Sequence, residues 1–190
     1  MQNWPHDCEL NYSVTLMGSS QSRLRFALEI HNLGTDQKMP VAMCFHPYFR
    51  IGDIATVSVT SPSKPISQLG LFDQITNAAS KAAGHDSIAF KGVVDRVYAD
   101  AGDDWVIHDP ALKRDIKIHK QGCSEMVVWN PGNTASSIAD IGKGEEKLFV
   151  CVEPALVQLD LGKPSIEPYR LYVEPKAKHT CVCEVSWSKH

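Results

Sequence analysis

The 190-residue sequence is short of several things that would fix its class at once. It has no uninterrupted apolar run near the roughly 18 residues that cross a bilayer as a helix, and no glycine-rich phosphate loop between a strand and a helix. No G-x-S-x-G elbow occurs, and no pair of histidines has the spacing of a helical zinc site. Lys and Arg total 19 against 22 Asp and Glu, and the cations do not gather into a basic arm. The formal net charge of −3 therefore gives no electrostatic reason to expect nucleic acid. The opening residues "MQNWPHDCEL" lack the charged start and apolar middle of a secretory signal. Membrane and nucleic-acid partners are thus not expected, and the cytoplasm is the expected location.

The six cysteines are scattered. Cys181 and Cys183 stand two apart in "CVC", which on a strand turns both thiols to one side and suits neither a local disulfide nor a zinc knuckle. Reduced, mostly buried thiols are expected, with no bound metal or other cofactor.

What the sequence does have is period-2 alternation. "CELNYSVTLMG" sets Leu10, Tyr12, Val14 and Leu16 on one face, and "RLRFALEIHN" does the same for Leu24, Phe26, Leu28 and Ile30. The turn residues "GSSQS" between them predict a hairpin. "VAMCFHPYF" reads as one buried strand ending near Pro47, and "IATVSVTS" as another. "DWVIHDPALKRDIKIHK" reads as two strands about Asp109-Pro110, with Ile116 and Ile118 inward. "EMVVWNPG", "KLFVCVEPALV" and "HTCVCEVSW" complete the series. Only Leu69 to Gly84 offers weak helical character. The expected architecture is an all-β antiparallel sandwich forming a single domain over residues 1–190.

Four polar positions at the ends of apolar strands could carry chemistry. In "FVCVEPALV" Glu153 is surrounded by apolar residues, where a carboxylate must be paired, hydrogen-bonded or protonated. In "CFHPYFR" His46 precedes Pro47, which forces extended backbone and cannot continue a central ladder. A core-edge histidine bonded to a carbonyl is the plainer reading there. In "GVVDRVYAD" Asp95 and Arg96 are adjacent, so on a strand only one of them looks into a given cleft; a surface ion pair is the alternative. In "VVWNPG" Trp129 offers an indole face and Asn130 an amide for a sugar, or a core residue and a turn former.

Taken in order, "HPYF", "DRVY", "VVWNP" and "FVCVEP" resemble the glucose-6-phosphate 1-epimerases, a branch of the aldose 1-epimerase superfamily. The resemblance runs from about Trp4 to Trp187. It implies a galactose-mutarotase type of β-sandwich and a cofactor-independent isomerase acting on a small sugar or sugar phosphate. It also implies that Glu153 is the general base, that His46 is the general acid, and that Asp95 holds sugar hydroxyls or orients the acid; Arg96, Trp129 and Asn130 are the further substrate-binding candidates. The resemblance implies a further segment ahead of the region matching Trp4, bearing strands that close the sandwich and arginines that bind the 6-phosphate. Without it, Arg50, Arg96 or nearby lysines would take that role, and the first strand would leave an unpaired sheet edge. A non-catalytic carbohydrate-binding or scaffold protein on the same fold is the rival reading. An unrelated immunoglobulin-like adhesion domain would need another cause for Glu153.

Overall fold

A computed structural model describes residues 4–18, 23–81, 86–157 and 171–190. Alternating apolar residues and β-branched side chains build sixteen strands: β1 Cys8–Met17, β2 Arg23–Asn32, β3 Met39–Val41, β4 Met43–Cys44, β5 Tyr48–Arg50, β6 Ser58–Thr60, β7 Gly70–Asp73, β8 Ala78–Lys81, β9 Ser87–Ala89, β10 Val94–Ala99, β11 Asp104–Asp109, β12 Arg114–Gln121, β13 Glu125–Asn130, β14 Phe149–Leu156, β15 Leu171–Val173 and β16 Lys178–Lys189. Only three short 3-10 turns accompany them among the described residues.

All pairings among the described residues are antiparallel. The first sheet runs β1-β2-β16-β12-β11-β6-β9; the second runs β4-β14-β13-β10-β7-β8, with β5 also paired to β14. Strands β15 and β3 form a separate two-stranded ribbon. The main core lies between the two large sheets. Trp105, Ile107, Ile118 and Cys183 from the first meet Tyr98, Met126, Val128, Val150 and Val152 from the second. Burying each such aliphatic side chain contributes about 1.5–3 kcal/mol relative to leaving it in water.

The β1–β2 hairpin forms in the expected register, Tyr12 opposite Leu28 and Val14 opposite Phe26. Cys181 and Cys183 share a face, opposite Leu28 and Phe26, and Ile116 and Ile118 are buried. All six cysteines are free; Cys8 and Cys44 are exposed and the other four buried. Strand β1 is a sheet edge, and its Leu10, Tyr12, Val14 and Leu16 remain exposed although they continue the apolar face of β2.

Two expectations are corrected. The weakly helical stretch from Leu69 is instead the β7–β8 hairpin. Its turn is set by the Asp73 carboxylate, which accepts from the backbone N–H of Ile75 and Thr76, and by Asn77 at φ 52°. Residues 82–85 of that stretch lie outside the described residues. The single strand read over "VAMCFHPYF" is divided: Val41 ends β3, which pairs with β15, whereas β4 and β5 pair with β14, and Pro47, lacking the N–H that a continuous central strand must donate, lies in the gap between these two. That break leaves His46 between β4 and β5, beside the middle of β14.

Candidate functional site

Strand alternation sorts the second sheet into two faces. Val94, Tyr98, Met126, Val128, Val150 and Val152 enter the core, so their chain neighbours point outward. The register then aligns the outward residues across strands. Tyr48 opposes Cys151, Cys151 opposes Trp129, and Trp129 opposes Asp95. Glu153, opposite Val127, lies one step along β14 on the same face. Cys44 comes to that face by pairing at Ala155.

His46 is fixed from both sides. The Phe45 N–H donates to the Pro154 carbonyl at 3.0 Å, tying the loop to β14. The imidazole stacks on Tyr48, ring centroids 4.9 Å apart and 6° from parallel. Trp129 meets both rings edge-on, at 5.7 and 5.9 Å, and Phe149 packs against Tyr48 and Trp129. The cluster gives His46 a rigid mount while half of its side chain stays open to solvent.

Glu153 is 3% exposed. Its Oε2 accepts from the Cys44 thiol at 3.1 Å. Its Oε1 closes no hydrogen bond, although His46 Nδ1 lies 3.4 Å away at ion-pair distance. Burial pushes the Glu153 carboxyl up to about 7, the Cys44 thiol working against that and the Asp95 carboxylate adding to it. A buried carboxylate oxygen with a vacant lone pair beside an accessible imidazole is equipped to take a proton at neutral pH. Asp95 donates nothing as a carboxylate but accepts from Gln74 Nε2 at 2.6 Å, and its own carboxyl is raised chiefly by burial. The Cys151 thiol is likewise pushed up by burial and then by Glu153.

Four of the six residues singled out from sequence therefore converge: His46, Asp95, Trp129 and Glu153. Two do not. Arg96 points to the opposite face, where its Nε pairs with Asp73 at 3.1 Å. Asn130 is 1% exposed and spent on backbone, donating to the carbonyls of Glu146 and Phe149 and accepting from the Gly132 N–H. It organises the turn after Trp129, where Gly132 at φ 49° passes so close to Gly92 that a Cβ would sit 2.6 Å from its carbonyl carbon. Cys44, Tyr48, Gln74 and Phe149 are the members that sequence reasoning passed over. Tyr48 was accessible to it, since residues two apart on an extended segment share a face. Cys44 and Gln74 gave no local signal.

The described residues thus place a buried carboxylate, an imidazole and an aromatic wall on one sheet face of a β-sandwich. The aldose 1-epimerase family matches residues 1–164, and the chain belongs to that family. It is 30% identical over 185 residues to a protein of Cenchrus ciliaris provisionally named a glucose-6-phosphate 1-epimerase, covering 95% of this chain and 54% of that one. A protein of Escherichia coli K12 with the same provisional name is 33% identical over 155 residues, 80% of this chain and 47% of its own. The chain thus spans about half the length of these curated relatives. Among solved structures, a provisionally assigned mutarotase of Salmonella typhimurium superposes with a TM-score of 0.76 at 23% identity, over 100% of this chain and 56% of that one. A galactose mutarotase-like protein of Lactobacillus casei does so at 0.70 and 16%, over 98% and 65%. These likenesses establish the galactose mutarotase-like fold. No helix among the described residues is long and apolar enough to cross a membrane.

Proposed function

We propose that the chain carries the proton-transfer centre of a hexose 6-phosphate mutarotase, interconverting α and β anomers by opening and reclosing the ring. Opening needs a base at the C1 hydroxyl and an acid at the ring oxygen. Both oxygens sit on one carbon, so base and acid must be neighbours. Glu153 Oε1 and His46 Nδ1, 3.4 Å apart, meet that requirement, and this contact carries the proposal. Glu153 removes the hydroxyl proton and His46 supplies one to the ring oxygen; closure on the other face of C1 reverses both transfers. No cofactor is called for.

Substrate is held by its two kinds of surface. Tyr48, Trp129 and Phe149 give an apolar wall for a sugar ring. Asp95, already oriented by Gln74, accepts from sugar hydroxyls. Arg50 is on the same strand face as Tyr48, opposite Phe149, which supports it as the contact for a 6-phosphate.

The test is anomerisation of freshly dissolved α-glucose 6-phosphate followed by polarimetry, with glucose and galactose alongside and the spontaneous rate subtracted. The expected result is acceleration that Glu153→Gln removes. A wild-type rate equal to buffer would instead leave a carbohydrate-binding scaffold on this fold.

A further inference from the structure

The face that holds His46 and Glu153 has a second chemistry that acid–base catalysis does not use. Sulfur crowds it. One donor atom each from His46, Cys151 and Glu153 lie within 4.8 Å of one another, and Cys44 Sγ stands 3.1 Å from Glu153 Oε2. One thiol, an imidazole and a carboxylate thus surround one small volume on a single sheet face, and the Cys44 thiol steadies the carboxylate by a hydrogen bond.

We propose that His46, Cys151 and Glu153 form a three-ligand binding site for a borderline-soft divalent cation, Zn2+ foremost, which blocks the proton-transfer centre when occupied. Cys44 supports it through its hydrogen bond to Glu153. Mixed sulfur, nitrogen and oxygen donors are the set that selects zinc over magnesium or calcium. The spacing agrees. With bonds of about 2.0 Å to nitrogen and oxygen, neighbouring donors of a tetrahedral zinc site are about 3.3 Å apart, and His46 Nδ1 to Glu153 Oε1 is 3.4 Å. Glu153 Oε1 is buried without a hydrogen bond and so is free to coordinate. A route in exists through exposed Cys44 and half-exposed His46. Aromatic packing of His46 on Tyr48 holds the imidazole in place before any ion arrives.

The exchange is balanced: the Cys151 thiol, on becoming a thiolate ligand, releases one proton, so binding weakens in acid. No oxidant or reductant takes part. The ion is an inhibitor, not a cofactor, because it occupies the carboxylate oxygen and the imidazole nitrogen that would handle the sugar protons. The inhibitory consequence rests on the functional reading above; the site itself does not.

The experiment is titration of the untagged full chain, freed of metal by chelator, with Co2+ as a spectroscopic stand-in that Zn2+ then displaces. The expected result is one equivalent bound with tetrahedral visible bands and a thiolate-to-cobalt band in the near ultraviolet. Cys44→Ala, loss of a supporting group, should weaken binding by about 10- to 100-fold and Cys151→Ala, loss of a ligand, by more, whereas Cys8→Ser should not change it. Should Cys151→Ala fail to fold, the near-isosteric Cys151→Ser and Glu153→Gln still decide the matter. Cobalt bound without a thiolate band, or with a band indifferent to replacement of Cys151, overturns the site. A chain that shows the band but no mutarotation upholds the site and refutes the functional reading; an active chain without the band does the reverse.

Discussion

Cys44 and Glu153, separated by 109 residues in the chain, meet through a 3.1 Å hydrogen bond in which the thiol donates to the carboxylate. That donor stabilises the ionised form and holds the Glu153 carboxyl below where burial alone would put it. Cys44→Ala should therefore raise the Glu153 pKa and move the acid limb of kcat/KM for anomerisation to higher pH. Well above the limb the rate should match wild type. A pH profile of kcat/KM checks this, and an unmoved limb would show that the thiol does not tune the base.

Glu153→Gln keeps the side chain's size but cannot accept the C1 hydroxyl proton. Loss of a single acid or base costs about 100- to 10,000-fold, so anomerisation should fall by that amount while sugar affinity, measured by calorimetry, stays within a few-fold. His46→Asn should slow the reaction as well, through the ring-oxygen step. An unimpaired Glu153→Gln enzyme would remove Glu153 from the mechanism.

The same substitution should change how stability depends on pH. The Glu153 carboxyl rises from the ordinary 4.5 to about 7 on folding, so the native state binds a proton more readily than the unfolded chain. The stability linked to that proton is fully present below 4.5 and is lost as pH climbs through about 7. The full span corresponds to about 3 kcal/mol. Wild type should weaken over this window and Glu153→Gln should not, the two converging in acid. Urea unfolding across pH measures it; parallel curves would refute the raised pKa.

How much of this was legible beforehand depends on whether the cause was local. The faces of β1, β2, β12 and β16 follow from period-2 alternation, because a strand reports its buried side in its own residues. Glu153 announced itself as a carboxylate among apolar neighbours. Arg96 did not: that Asp95 and Arg96 must part to opposite faces was visible, but which one faced the site depends on the register of β10 against β13. The β7–β8 hairpin was hidden because its alanines and serines carry little β preference, and its turn depends on one Asp73 side chain. Cys44 was invisible for a third reason: the strand break at Pro47 and the pairing of β4 to β14 together bring it to Glu153.

Arg96 and Trp129 should separate cleanly in binding experiments. Trp129 belongs to the aromatic wall, and removing a stacked aromatic costs about 1–3 kcal/mol in comparable ring-binding contexts. Trp129→Ala should weaken sugar affinity accordingly. Arg96→Met should leave affinity unchanged, since Arg96 faces Asp73 across a partly exposed pair worth at most about 1 kcal/mol of stability. Isothermal titration with the sugar phosphate distinguishes them, and a weakened Arg96→Met would place Arg96 at the site after all.

Asn130 carries a structural prediction. Its amide satisfies two carbonyls and one N–H in a buried setting. Asn130→Ala leaves those groups unpaired, each costing about 1–3 kcal/mol. A large drop in the urea midpoint is expected; a near-neutral change would mean that water replaces the amide.

The alignment of Tyr48, Cys151, Trp129 and Asp95 across four paired strands makes the sheet a ruler for the site. A single residue inserted or deleted inside β14 would exchange the faces of Val152 and Glu153, driving a carboxylate into the core and a valine beside His46. A change of length between Gly132 and Glu146 leaves that alternation intact, provided that Asn130 still reaches both ends of the connection. The strands must keep count to the residue, and variation in length is channelled into the loops.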